Sequence, residues 1–224
     1  MEVEKISSST EKKALSEHES KKLLSTYGIP VSKEILARSS KELHDAVQEI
    51  GFPLVLKGCS NVFSHKTEMN LVSLNIKTSQ EAEREFERIC EVMAGKGEGV
   101  LVQEMVQGKR ELMAGMTRDA QFGPCVMFGI GGIFTEALED VCFRMAPIDK
   151  KQAKEMFGDI RGNKLLGPVR GMEPVDLDSL ADILVALGKL GAERNDIQEI
   201  DLNPIIIRQG KPVAVDALVI TDLR

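Results

Sequence analysis

Asn203 and Asp216 are the two side chains of this chain whose types and setting suit a hard cation. They lie in Glu199-Ile200-Asp201-Leu202-Asn203-Pro204 and Val213-Ala214-Val215-Asp216-Ala217. The two apolar segments that carry them, Ile197 to Ile207 and Pro212 to Ile220, flank the polar turn Arg208-Gln209-Gly210-Lys211, a pattern that reads as a hairpin. Pairing its strands brings Asn203 and Asp216 together. A carboxylate and an amide oxygen suit Mg²⁺, which takes few protein ligands and fills its octahedron with water and phosphate oxygens. A buried hairpin with incidental acids accounts for the same residues.

Lys57 closes the apolar run Leu54-Val55-Leu56 and is followed by Gly58. A buried ammonium needs an anionic partner, and polyphosphate is one candidate. A packed stem with its charge in water is the alternative. His65, in Ser64-His65-Lys66-Thr67-Glu68, reads as a loop residue. Neutral imidazole is both nucleophile and leaving group near neutral pH, so it can carry a phosphoryl group, although loop histidines are also simply exposed. His18 and His44 fall on charged helical faces. Val100 to Val106 runs from an apolar strand into a turn and on to Glu111, as either a nucleotide-meeting connection or an ordinary hairpin. The glycines of Phe122-Gly123-Pro124 and Gly129-Ile130-Gly131-Gly132 allow close backbone approach, but they form neither a Walker loop nor a dinucleotide fingerprint. Arg144, Arg161 and Arg170 could grip phosphate, with surface ion pairs as the ordinary reading.

The elements that must position these residues alternate between helix and strand. Ser16 with Glu19 forms a capping box for a helix to Tyr27, and Gly28 ends it. Ile29 to Ala37 reads as a strand. Ser39 with Glu42 starts a helix to Ile50, and Thr78 with Glu81 starts one to about Ala94. Leu54 to Lys57, Leu71 to Ile76, Val100 to Val106, Glu111 to Thr117 and Pro124 to Gly129 read as strands, with Gln107-Gly108-Lys109-Arg110 turning the third into the fourth. Asp149 to Asp159 and Asp176 to Leu190 read as helices. The mixture places the chain in the α/β or α+β class.

With 224 residues the chain can bury a substantial core. Its net charge of -6 argues against a mainly electrostatic grip on nucleic acid. Cys59, Cys90, Cys125 and Cys142 lack metal-ligand spacing and suit the reduced thiols of a cytoplasmic protein. Met1 to Ala14, rich in Ser, Lys and Glu, is neither a secretory signal nor a membrane anchor, and is expected to be a disordered tail.

Leu-Ser-Glu-His-Glu-Ser-Lys-Lys-Leu-Leu with Tyr-Gly-Ile-Pro-Val, then Gly-Phe-Pro-Leu-Val-Leu-Lys, His65-Lys66, Val-Leu-Val-Gln-Glu-Met-Val, Phe-Gly-Pro, Gly-Ile-Gly-Gly-Ile-Phe and Arg-Met-Ala-Pro stand in one order from about Leu15 to Thr221. This order resembles the ATP-grasp subunit of the NDP-forming acyl-CoA synthetases. The resemblance implies an ATP-grasp fold over residues 15–224, with lobes at about 15–106 and 107–224 enclosing ATP or ADP and Mg²⁺. It implies a β subunit that interconverts acyl-CoA, ADP and phosphate with acid, CoA and ATP, beside a CoA-binding α subunit for which this chain has no room. Carried over by the same resemblance, Lys57 contacts phosphate, Glu104 and Val106 meet adenine, Glu111 lies near ribose, Asn203 and Asp216 hold Mg²⁺, and His65 relays phosphoryl. One departure stands out. Where the family has two glycines after the histidine loop, this chain has Asn70 and Leu71, whose side chains are expected to restrict the backbone and crowd a phosphate. A non-catalytic or regulatory subunit, and a different ATP-grasp carboxylate ligase, are therefore alternative readings.

Overall fold

The computed structural model describes residues 12–60, 70–132, 140–169 and 171–222. In chain order the elements are β1 (Lys12–Ala14), α1 (Glu17–Thr26), β2 (Glu34–Ala37), α2 (Ser40–Ile50), β3 (Leu54–Cys59), β4 (Val72–Ile76), α3 (Ser79–Met93) and β5 (Gly99–Glu104). There follow β6 (Glu111–Asp119), β7 (Gly123–Ile130), β8 (Val141–Met145), α4 (Lys150–Asp159), α5 (Leu177–Glu193), β9 (Ile197–Arg208), β10 (Lys211–Ala214) and β11 (Leu218–Asp222).

The strands sort into two antiparallel sheets. The smaller has the order β2-β5-β3-β4, and its core joins Leu43 and Val47 of α2 and Phe86 and Ile89 of α3 to Leu54 and Leu56. The larger runs β1-β11-β9-β6-β7-β8, with β10 on β9. Its core packs Leu184 and Leu187 of α5 and Phe157 of α4 against the sheet, Phe157 meeting Phe128 edge to face at 5.0 Å.

Local chemistry starts the helices where the sequence indicates. Ser16 caps α1 with both halves of the box, Glu19 Oε2 accepting from Ser16 N at 3.0 Å. Ser39 and Thr78 cap α2 and α3 through the amides of Glu42 and Glu81. The carboxylates of those two glutamates reach one residue further back, to Arg38 N and Lys77 N. Asp149 and Gln152 form a further capping box at α4.

Several expectations change in the folded chain. Lys12 to Ala14, placed in the tail, form β1 and pair with β11, Lys12 opposite Asp222. The helix α1, assigned to the first lobe, gives Leu24 to the larger core, which also takes Ile29. Its partner is β11: Leu15 N donates to Val219 O and Val219 N to Ser20 Oγ. The two cores therefore divide between α1 and β2 as well as between β5 and β6.

Residues Gln107 to Arg110 do not fold β5 back onto β6, because the two strands lie in different sheets. Buried Arg110 instead donates to the carbonyls of Leu165, Gly167 and Glu173, fastening the connection to the larger core. The expected strand Ile29 to Ala37 is regular only from Glu34, with Val31 making an isolated bridge to Ala214. The expected strand Pro212 to Ile220 is broken into β10 and β11 around Val215 to Ala217. The edge strand β8 was not indicated by periodicity; its Phe143 and Met145 are exposed. Among the described residues, no helix is long and apolar enough to cross a membrane.

Candidate functional site

Lys57 lies on an inner strand of the smaller sheet, opposite Val72 of β4 and Leu101 of β5, and is 6% exposed. That excludes a charge resting in water. Its Nζ donates to Glu17 Oε1 at 2.8 Å and to Val215 O at 2.7 Å, and lies 3.8 Å from Asp216 Oδ2. Burial pulls the ammonium toward neutrality, but Glu17, Asp216 and Glu34 outweigh it and hold its pKa above the ordinary lysine value. The break between β10 and β11 thus has a use: it presents the Val215 carbonyl and the Asp216 carboxylate to a lysine from the other sheet.

Glu17 is a residue that the sequence reading passed over. The same Oε1 that accepts from Lys57 also accepts from Lys21 Nζ at 2.8 Å, one turn along α1. Lys21, 2% exposed, donates further to Ser32 Oγ, to Glu34 Oε2 at 2.7 Å and to Gln103 Oε1 at 2.7 Å. The available signal was an acid and a lysine at i and i+4 on the face that also carries Leu24.

The expected approach of Asn203 and Asp216 follows from strand register. β10 pairs with β9 up to Ala214 opposite Ile205, Val215 N then donates to Pro204 O at 3.1 Å, and β11 resumes with Leu218 opposite Asp201. Asn203 therefore stands opposite Asp216. Ala217 N donates to Asp216 Oδ1 at 2.8 Å. Asp201, two residues before Asn203, has its carboxyl pushed up to about 6 by burial first and then by Glu199 and Asp216. These are all hard oxygen donors, and they fit Mg²⁺ in chemistry and in number. Among the described residues no three His, Cys, Asp or Glu side chains gather around one point, so a cation here would also draw on water or phosphate oxygens.

Val106 is buried in a small apolar cluster with Val213, Val215 and Ile206, separate from both main cores and next to the Val215 carbonyl that meets Lys57. Such a cluster can receive a flat heterocycle. The Glu104 carboxylate is occupied: it accepts from Lys33 N at 2.9 Å and from Arg208 Nη1 at 2.6 Å, bracing the connection between sheets. That leaves backbone groups as the means by which this segment would meet a base. Glu111 opens β6 and is exposed. Gly132, at φ 86°, lies against its carboxylate, where an added Cβ would be 3.1 Å from Oε2. Gly131 has even less room, its Cβ falling 2.8 Å from Leu112 O. Close chain passage accounts for both glycines.

His65 and Arg170 lie outside the described residues. Of the two positions that depart from the family, Asn70 adopts the left-handed conformation at φ 55°, while Leu71 does not. Leu71 is fully buried in the smaller core, and its carbonyl accepts from Gly58 N at 2.8 Å. The expectation that Leu71 strains the backbone and crowds a phosphate is therefore corrected, because its side chain points into the core. Arg144 pairs with Asp159, and Arg161 lies 3.9 Å from Asp140, in keeping with surface ion pairing.

The domain model described as the ATP-grasp domain matches residues 7–221. The chain belongs to the ATP-grasp family. Within it, the chain is similar to the beta subunit of acetate–CoA ligase (ADP-forming) I of Pyrococcus furiosus, with 42% identity covering 94% of this chain and 93% of the relative. It also resembles, at a TM-score of 0.89 and 42% identity over 93% of each chain, an acetyl-coenzyme A synthetase 1 of Candidatus Korarchaeum cryptofilum solved with coenzyme A and Ca-AMPCP. Another structure of that enzyme holds coenzyme A and Mg-AMPPCP, with a phosphohistidine segment pointing towards the nucleotide binding site; it matches with a TM-score of 0.83, at 41% identity over 93% of each chain. ATP-grasp enzymes bind ATP or ADP, and the junction of Lys57, Asp216 and the Val106 cluster is where the two cores of this ATP-grasp chain meet.

Proposed function

We propose that this chain is the nucleotide-binding beta subunit of an ADP-forming acyl-CoA synthetase of the acetate–CoA ligase type. The reaction converts acyl-CoA, ADP and phosphate to acid, CoA and ATP, and runs in reverse. The observation that carries the reading is the meeting of Lys57 from one sheet with Asp216, from the segment between β10 and β11 of the other, 3.8 Å apart. In the forward direction phosphate displaces CoA from the acyl group, giving an acyl phosphate. A histidine takes the phosphoryl group and releases the acid, and the phosphohistidine passes it to ADP.

In this reading Lys57 contacts the transferring phosphates, and Val106 with the backbone of Glu104 receives adenine. Glu111 faces the ribose, and His65 is the phosphoryl carrier. Asn203 and Asp216 would hold Mg²⁺, which when bound neutralises charge on the phosphates. Positioning and charge compensation of this kind supply most of the catalysis in phosphoryl transfer. The first steps require a CoA-binding alpha subunit, a partner in keeping with relatives named as beta subunits. Four free thiols suit a cytoplasmic setting.

A non-catalytic subunit was suggested by the loss of two glycines at Asn70 and Leu71. The buried, core-facing side chain of Leu71 weighs against that alternative, and Asn is the residue after glycine that best tolerates the left-handed conformation seen at Asn70. Calorimetry with Mg-ATP and Mg-ADP tests the main reading. Binding should depend on Mg²⁺, and Asp216→Ala should weaken the metal-dependent part at least tenfold, since one of few protein ligands is lost. Absence of purine nucleotide binding by folded protein, alone or with its partner, would refute it.

A further inference from the structure

We infer that Glu17 is the positioning residue of Lys57, drawing its ammonium to the junction between the two cores and setting the subunit's affinity for nucleotide phosphates. The inference rests on the nucleotide reading above and adds a residue to it. Glu17 lies on α1, which packs with the larger core, whereas Lys57 lies on an inner strand of the smaller sheet. The Glu17 side chain is fully buried, and the 2.8 Å bond between them joins elements that share no sheet and no hydrophobic cluster.

The charges around this bond are unevenly shared. Two buried ammoniums, Lys21 and Lys57, meet at Glu17 Oε1. Lys21 has three further acceptors, Ser32, Glu34 and Gln103, and one of them is a carboxylate at 2.7 Å. Lys57 has the Val215 carbonyl and, at 3.8 Å, the Asp216 carboxylate. Asp216 is also a proposed metal ligand, so a bound cation would compete for its charge. Glu17 then remains as the close, permanent counter-charge of Lys57. Without it, the ammonium keeps the Val215 carbonyl and only more distant carboxylates, and it leaves the buried position, because a poorly compensated buried charge is strongly disfavoured. Lys21 would stay compensated by Glu34.

The asymmetry gives a test in which two substitutions disturb the same buried network with different consequences for Lys57. Glu17→Gln should raise the calorimetric Kd for Mg-ATP by tenfold or more. Lys21→Met, which removes the competing ammonium from Glu17 Oε1, should change it less than threefold. Glu17→Asp keeps the charge on a shorter stem and should fall between them, and it carries the test if Glu17→Gln does not fold. A readout independent of nucleotide is trace acetylation with acetic anhydride at pH 8, measured at Lys57 by mass spectrometry. Loss of the Glu17 charge should increase labelling of Lys57 several-fold, and loss of Lys21 should not. Equal effects of Glu17→Gln and Lys21→Met on both readouts, or no effect of either, would overturn the inference. Failure of the wild-type chain to bind nucleotide would instead sink the nucleotide reading, and the labelling arm would still decide whether Glu17 controls Lys57.

Discussion

At the scale of single residues, a buried cation is defined by what compensates it. Lys57 has Glu17 in place before any nucleotide arrives, so a phosphate there would join an existing ion pair rather than create the first one. The phosphoryl carrier proposed at His65 has the opposite requirement, since a carrier must leave one site to reach another. His65→Ala should therefore abolish overall turnover, assayed with the alpha subunit, while the Kd for Mg-ATP changes less than twofold. That is the mark of a group used in chemistry rather than in binding. Unchanged turnover in the mutant would reject the assignment. In wild-type protein the label from the γ-phosphate of ATP should survive base and be lost in mild acid.

At the scale of elements, residues Asn70 to Ser73 are held by α3. Arg88 donates to Asn70 O at 2.6 Å and to Ser73 Oγ at 2.9 Å, and Glu85 binds both Arg88 and Ser73 at 2.8 Å. Hydrogen bonds from Arg88 first and Ser73 second hold the Glu85 carboxyl below its ordinary 4.5. A depressed carboxylate stabilises the fold above its unfolded pKa, and that contribution is lost as pH falls through the folded value. Glu85→Gln should lower stability by about 1 kcal/mol at pH 7, a modest figure for a partly exposed pair. The gap from wild type should close progressively below pH 4.5, as followed by urea denaturation at stepped pH. The two positions next to this anchor should respond differently to glycine. Asn70→Gly keeps a left-handed residue and should shift stability by less than about 1 kcal/mol. Leu71→Gly empties a fully buried site in the smaller core and should lose about 3–5 kcal/mol. A neutral result at Leu71 would mean that its side chain is not the core residue described here.

At the scale of the whole molecule, two sheets whose cores are separate among the described residues are joined by buried polar groups beside the small Val106 cluster. Lys21, Lys57, Glu17, Glu34 and Gln103 lie between them, and Glu104 with Arg208 adds a second tie. Such a junction resists unpaired opening but can exchange partners when a polyanion enters. The groups gathered there are the ones proposed above to handle the nucleotide. In the proposed function, CoA is bound by the alpha subunit. The isolated chain should accordingly give no acyl-CoA from acid, CoA and Mg-ATP, and activity should appear when an alpha subunit is added. Robust activation of short or aromatic acids by the chain alone would contradict the division of labour.

What the sequence determined by itself was the set of features governed by near neighbours. Serine and threonine caps at Ser16, Ser39 and Thr78 located helix starts because the cap bond spans three residues. The Gln209-Gly210 turn set the register that places Asn203 opposite Asp216, since a short connection leaves little choice of pairing. Tertiary structure alone decided the rest. Whether β5 turns back on β6 or departs to another sheet depends on Arg110 finding carbonyls 55 and more residues away. Leu71 faces a core instead of a phosphate because α3 supplies the apolar surface against it. Among many acids, only packing selected Glu17 for burial beside Lys57, 40 residues along the chain. A charge pattern on one helix states which groups share a face, and the fold determines what that face meets.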